Sequence, residues 1–500
     1  MVKRGKKDNP KTPAGQAFQG SHSEANKIGA STTYDFTGKN LTAVGGLLPI
    51  ATMLEKLEFQ KLLDETITTT RITRVMGLYK FVLGIVLGFY VGFQRLNQLR
   101  FIARDPILTG ILGVEKLPPQ STLWRFLDGL YVHVAGQVLK IQQVFRQRVW
   151  EAANVKLTTV TLDTDTTVQT VYGKQMGARK SYNPKNKGKL SYQPILTFIA
   201  ETREYIYGDL HNGHRPSGKE IKAHLKKAIA SLPPGVKQIF GRDDSGFYCQ
   251  EAIEAYEEDP RCKFVICAQK TDRLVEQLRE ADWKPSPQTD ADEQCEFFYQ
   301  PRGWTKAHRF VALRYDKAAR EAQKEKKKTT KPDTDKDDAN EREQYQLFDT
   351  APYEYRVFVT NMTDPIAYVV WFYRQRAGAE NLIKEANGDA GLAAHPSERF
   401  DTNRIHFQLA MLAYNFNCWL LLFNREPEAD SMKLKHTTLA LARLRFLFIA
   451  AKLWNHAGRI GIHYSEQYQE KALFDRLMTR LRAIKLQGPT FTAVMTPALE

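Results

Sequence analysis

The hydrophobic period of this chain changes at residue 156, and that change limits the possible fold more than any other feature. Residues 46–150 read as helical. From Lys156 the pattern alternates, in Lys156–Leu162 (KLTTVTL), Gln193–Ala200 and Glu204–Asp209, as strands with one buried face do. Lys219–Leu232 then reads as an amphipathic helix, Val236–Gly241 as a strand, Phe247–Glu258 as a helix and Lys263–Ala268 as a strand. A meander of strands followed by strand–helix alternation specifies a mixed α/β sheet.

The remaining segments divide around that sheet. Residues 1–45 lack hydrophobic periodicity and read as a flexible basic tail. Within 46–150, Pro106–Leu112, a turn at Gly113–Pro119 and Ser121–Leu130 have the outline of a helix-turn-helix, with Ser121 as a cap. Residues 151–269 hold the first part of the sheet. In 270–354 the strand-like pieces Cys295–Tyr299 and Arg309–Tyr315 flank a charged run, 316–343, that reads as a solvated, disordered loop. Tyr353–Thr360 returns to the sheet. In 355–400 a helix begins near Asp364-Pro365 and runs through Tyr373 and Glu380. Residues 401–500 form a helical C-terminal region, with apolar helices at 402–426 and 437–456.

Charge and cysteine content exclude several classes. A net charge of +16 over 500 residues favours a polyanionic partner, nucleic acid or an anionic membrane surface. Five cysteines are too few, and odd in number, for a secreted disulfide framework. The longest apolar run, Phe81–Phe93, falls short of the roughly 20 residues a membrane span needs, so it reads as a buried helix. His211 and His214 have a metal-like spacing, but a turn before the helix at Lys219 explains them more simply.

Three acidic positions sit where side chains can converge on rigid supports. Asp165 lies near the end of the first strand, Asp244 between a strand and a helix, and Glu380 on a helix. Converging carboxylates repel unless a cation lies between them. Such a cluster implies a hard divalent ion held by oxygen. Tyr373, Arg376, Glu380 and Lys384 follow at helical offsets of three and four, which places phenol, guanidinium, carboxylate and ammonium on one face. That set suits a phosphate. Spacing does not choose between Asp163 and Asp165, which alternate to the same strand face, or between Asp243 and Asp244.

These residues carry a resemblance. The chain resembles the DDE transposases of bacterial insertion sequences, the group with a Y-x2-R-x3-E-x6-K signature, and within it the insertion-sequence family thirteen-eighty. The matching stretches are D-T-T at Asp165–Thr167, VYG at Val171–Gly173, GARKSYNPKNKGKLSYQP from Gly177, RDDSGFY at Arg242–Tyr248, YRQRAGAENLIKE at Tyr373–Glu385 and NRIHFQLAMLAYN at Asn403–Asn415. They span roughly residues 46–430.

The resemblance implies an RNase H-like catalytic core interrupted by a mainly β insertion, with helical N-terminal and C-terminal domains. It implies that Asp165, Asp244 and Glu380 bind two Mg²⁺ ions, with Mn²⁺ able to substitute, and that Tyr373 and Arg376 contact DNA. D-T-T and D-S-G-F favour Asp165 and Asp244 within the acidic pairs. The signature Lys falls at position 387, where this chain departs from the pattern with Asn387; Lys384, on the same face one turn earlier, is the candidate to substitute for it.

Tyr172–Tyr192 adds Lys174, Arg179, Lys180, Lys185, Lys187 and Lys189 with no acid, and Tyr182 and Tyr192 interleave. Six cations in one segment suit DNA-backbone neutralisation. Trp304 is a candidate for stacking on a base, with core packing as its simpler role. The expected function is a DNA transposase that binds terminal inverted repeats as a homodimer and performs Mg²⁺-dependent cleavage and strand transfer. It would act in the bacterial cytoplasm at the nucleoid, without membrane partners. An RNase H-like nuclease or resolvase without strand transfer, and a domesticated non-catalytic DNA-binding protein, are the alternatives.

Overall fold

The structure, a computed structural model, describes residues 28–70, 76–320, 352–425 and 437–485. The first 27 residues of the expected tail and residues 321–343 of the charged run lie outside the described residues, as do 426–436 and 486–500.

The segment β1 (Leu41–Thr42) leads into helices α1 (Leu47–Lys56), α2 (Phe59–Thr66), α3 (Leu78–Val91), α4 (Pro106–Leu112), α5 (Gln120–Asp128) and α6 (His133–Ala152). The apolar run supplies the buried part of α3, Phe81–Val91, and no described helix is long and apolar enough to cross a membrane. Asp105, with Pro106 at the first position, caps α4: its Oδ1 accepts from the Ile107 and Leu108 amides. Ser121 does not cap α5, whose N-cap is Pro119.

The sheet follows as β2 (Thr159–Thr166), β3 (Gln169–Thr170), β4 (Arg179–Lys180), β5 (Leu190–Tyr192), β6 (Ile195–Ile199) and β7 (Tyr205–Asp209). Next come α7 (Gly218–Ala230), β8 (Gln238–Asp243), α8 (Gln250–Glu257), β9 (Cys262–Cys267), α9 (Asp272–Glu280), β10 (Lys284–Pro285), β11 (Glu293–Tyr299), β12 (His308–Asp316) and β13 (Tyr353–Thr360). Nine strands form one mixed sheet in the order β10-β11-β12-β13-β9-β8-β2-β6-β7. β2 is central, antiparallel to β6 and parallel to β8, which is parallel to β9. The strands between Asp244 and Glu380 interrupt the sequence but not the sheet, because β13 pairs with β9.

The last part holds α10 (Ile366–Arg374), α11 (Ala377–Gly388), α12 (Phe400–Asn424), α13 (Leu439–Ala442), β14 (Ala451–His456), β15 (Arg459–Tyr464) and α14 (Lys471–Arg482). Two expectations need correction. The helix expected to run through Tyr373 and Glu380 breaks at Gln375–Arg376, where tight three-residue bonds such as Arg376 N–H to Tyr373 O (2.9 Å) replace the helical ones. The helix expected over 437–456 ends by Leu447. Residues from Ala451 instead form a hairpin that pairs with β1.

α12 is buried on nearly every face and packs against α3, α6 and the edge strand β7. Its Asn415 accepts from the Tyr205 amide (2.9 Å) and donates to the Tyr205 carbonyl (2.8 Å), closing an otherwise open sheet edge. At the head of β7, buried Glu204 accepts from Arg146 Nε (2.8 Å), Trp150 Nε1 (2.7 Å) and Trp419 Nε1 (2.7 Å), which ties α6, the sheet and α12 together.

Candidate active site

The two central parallel strands decide which aspartates are available. Thr164 of β2 pairs with Asp243 at the end of β8, and Asp165 and Asp244 are the residues that follow this last rung. Asp163, two residues back on the same face, is held by Arg242 through Nε–Oδ1 (2.7 Å) and Nη2–Oδ2 (2.9 Å), both side chains almost fully buried. Burial raises the Asp163 pKa and Arg242 opposes the rise. Asp243 is fully buried and accepts from Tyr256 Oη (2.8 Å). Burial pushes it up to about 8, against the Tyr256 bond.

Asp165 and Asp244 remain partly exposed. Asp244 caps the short turn Ser245–Phe247, its Oδ1 accepting from the Gly246 amide (2.8 Å). Asp165 Oδ1 accepts from its neighbour Thr166 (2.7 Å). Glu380 is exposed in the first turn of α11, a helix that packs on β2 and β6. Burial pushes Asp165 up to about 7; Arg376 pulls it back, while Asp244 and Glu380 push it further. All three carboxylates therefore act within one electrostatic field.

Arg376 stands in that field as the cation. It is 8% exposed, and its Nη2 lies 2.8 Å from Asp165 Oδ2. The approach is close but not aligned for a hydrogen bond, and Nη2 and Nε have no hydrogen-bond partner. Burial works against its charge, but Asp165 and Asp244 outweigh this and raise its pKa. Ion-paired with Asp165 but with no hydrogen bond made by Nη2 or Nε, this buried guanidinium keeps donor capacity for a further anionic oxygen. Tyr373 packs on Phe358 with ring centroids 4.6 Å apart, and burial raises its pKa.

The three carboxylates do not close into a single-ion cage. Among the described residues, the one group of three with ligand atoms within 4.8 Å of one another is His211, His214 and Glu220. There Glu220 completes a capping box with Ser217 and accepts from His211 Nε2 (2.9 Å), so the expected turn before α7 accounts for the cluster.

The basic segment is organised by a small sheet, β3-β5-β4. Lys174, Arg179, Lys180, Lys185, Lys187 and Lys189 are all exposed, and none has an acidic partner among the described residues. Tyr172 (83%) and Tyr182 (72%) are its exposed aromatics. Tyr192 is fully buried and donates to the Met176 carbonyl (2.6 Å), so it belongs to the scaffold. Lys384 is exposed on α11. Trp304, in the β11–β12 turn, is half-buried against Tyr248 at 5.2 Å.

Asn387 is committed within the protein. It donates to Thr167 Oγ1 (3.1 Å) and accepts from Gln169 Nε2 (2.9 Å), fastening α11 to the chain just beyond Asp165. It also lines a cleft of about 480 Å³ with Arg95, Trp124, Tyr172, Gln175 and His395. The sequence carries no signal for that cleft, because its walls come from four distant segments.

Comparison with known proteins identifies the family. The family described as Transposase DDE domain group 1 matches residues 25–486, and the chain belongs to it. The protein is thus a DDE transposase. No curated protein matches the chain. Among solved structures, the cryo-EM structure of the piggyBac transposase synaptic complex with hairpin DNA is similar at 11% identity and a TM-score of 0.39, over 91% of this chain and 83% of that one.

Proposed function

We propose that this transposase binds the terminal inverted repeats of an insertion sequence, pairs two ends as a homodimer, and cuts and joins DNA at Asp165, Asp244 and Glu380. The observation that carries the reading is the contrast along β2: Asp163 is held by two bonds from buried Arg242, whereas Asp165, nearer the strand end, is partly exposed and shares its electrostatic field with Asp244 and Glu380. We read the central strands as an RNase H-like core of the Y-x2-R-x3-E-x6-K group, related to insertion-sequence family thirteen-eighty.

The donor set is all oxygen, which fits Mg²⁺. We read the set as holding two ions about 4 Å apart, as the family resemblance implies. Bound there, the ions would activate an oxygen nucleophile and neutralise the leaving oxygen. The protein's own contribution is positional. Arg376 turns its uncommitted donors on a phosphate oxygen, Asn387 holds the Glu380 helix against β2, and the β3-β5-β4 platform carries the duplex backbone on six cations.

The test is incubation of purified protein with end DNA and Mg²⁺, resolving nicked, hairpin and joined products. Asp165→Ala, Asp244→Ala and Glu380→Ala should each abolish cleavage and leave end binding largely intact. Full cleavage by Asp244→Ala would remove the assignment. Cleavage without joined product would favour a nuclease or resolvase.

A further inference from the structure

The hairpin at 451–464 lies outside the expected DNA-contacting set, and its two faces differ sharply. The register pairs Lys452 with His463, Trp454 with Gly461 and His456 with Arg459. Alternation along each strand puts these six on one face. The other face holds Leu453 with Ile462 and Ala451 with Tyr464, packed towards the body of the protein. Lys452, Trp454, His456, Arg459 and His463 are all exposed. From Arg443 to Ser465 the sequence has no Asp or Glu. Lys452 and Arg459 have no acidic partner among the described residues.

The face is also rigid. Ala457 (φ 49°) and Gly458 (φ 74°) make the tight turn whose twist suits a two-residue hairpin. β14 is pinned to β1, the Leu453 amide donates to Asn40 O (2.9 Å), and Tyr464 Oη donates to Gly45 O (3.1 Å). A side chain at position 461 would meet the Trp454 indole at 2.2 Å, so that ring lies flat across the hairpin over the glycine. The result is a twisted two-stranded ribbon with cations at both ends of one face and an indole between them.

We infer that this ribbon is a second duplex-DNA contact surface, separate from the β3-β5-β4 platform, with Lys452 and Arg459 on phosphates and Trp454 against the groove wall. A two-stranded ribbon fits the major groove, about 12 Å wide. The partner is argued from charge complementarity: a surface of cations and imidazoles without acids takes a polyanion. The inference rests on the reading of the chain as a protein that handles DNA ends.

The experiment uses the full chain and a fluorescein-labelled duplex of about 30 bp, followed by anisotropy across a salt series. Lys452→Ala/Arg459→Ala should weaken binding about tenfold or more and reduce the salt slope by about 1.8, near 0.9 for each phosphate that is no longer neutralised. Trp454→Ala should weaken binding severalfold with the slope unchanged. Thermal melts should stay at the wild-type value, since every substituted side chain is exposed. Unchanged affinity and slope in the double variant, or preference of the wild-type ribbon for single-stranded RNA or anionic vesicles over duplex, would overturn the inference. The two readings part cleanly. A double variant that binds like wild type while Asp165→Ala loses cleavage removes only the ribbon. A wild type that binds through the ribbon yet never cuts with Mg²⁺ removes only the catalytic reading.

Discussion

Glu204 and Asp165 are carboxylates on the same sheet, each facing a buried arginine, yet they are finished in opposite ways. Glu204 receives three donors, from Arg146, Trp150 and Trp419. Asp165 receives one backbone bond and an unaligned guanidinium, and feels two further carboxylates. A carboxylate whose oxygens are both filled by donors joins elements and has none left to offer a cation. An unsatisfied one stores repulsion that a cation or a phosphate relieves. The difference separates a joint from a site without reference to conservation.

The comparison breaks most directly at the strand ends. Asp165→Asn should reduce cleavage at least about a thousandfold, some 4 kcal/mol of transition-state stabilisation, without lowering the melting temperature. A large loss of stability would make Asp165 a joint after all. At the other pole, Glu204→Ala should cost about 3–5 kcal/mol in denaturant unfolding, because it strands a buried guanidinium. Unfolding within about 1 kcal/mol of wild type would deny Glu204 its role as a junction.

Glu385 is an intermediate case that sharpens the rule. It accepts from the Leu439 amide (2.7 Å), but its second oxygen is 3.9 Å from Arg203 and has no hydrogen bond. Burial pushes its pKa up to about 7, against an ordinary 4.5. The folded state thus holds this proton more tightly than the unfolded one. The stability it contributes is complete below pH 4.5 and is lost as pH rises through about 7. Glu385→Gln should therefore be near neutral at pH 4.5 and stabilising by about 1–3 kcal/mol at pH 8. A variant equal to wild type at pH 8 would refute the shift. The smallest effect belongs to Asn387→Ala, which removes the bonds to Thr167 and Gln169. It should cost about 1 kcal/mol and slow cleavage severalfold with DNA affinity preserved. Affinity falling in parallel with rate would give Asn387 a DNA contact instead.

How much of this is legible in the sequence follows from the range of the interactions involved. β2, β8 and β13 are local statements, written as alternation and β-branched residues, and they lie within a few residues of their expected places. What sets Asp163 apart from Asp165 is not local to their strand, since it is the bond from Arg242 on the neighbouring one. The helix break at Gln375–Arg376 has no Gly or Pro to announce it at those positions. The ribbon is hidden because Ala451–Trp454 continues an apolar run that favours helix. What overrides that preference is pairing with Leu41–Thr42, some four hundred residues earlier. The Glu204 joint is likewise invisible, since its donors come from three separate elements.

The β12–β13 hairpin has a consequence for handling the molecule. Its rungs run without a gap from Arg309–Thr360 to Asp316–Tyr353, and the Lys317 amide donates to Pro352 O (3.1 Å) at the neck. A neck fastened in this way insulates the sheet from whatever is threaded between its two ends. A fluorophore or affinity tag attached beyond this neck should leave the β12–β13 rungs, and with them the sheet, unchanged, which a melting curve of the labelled protein would check.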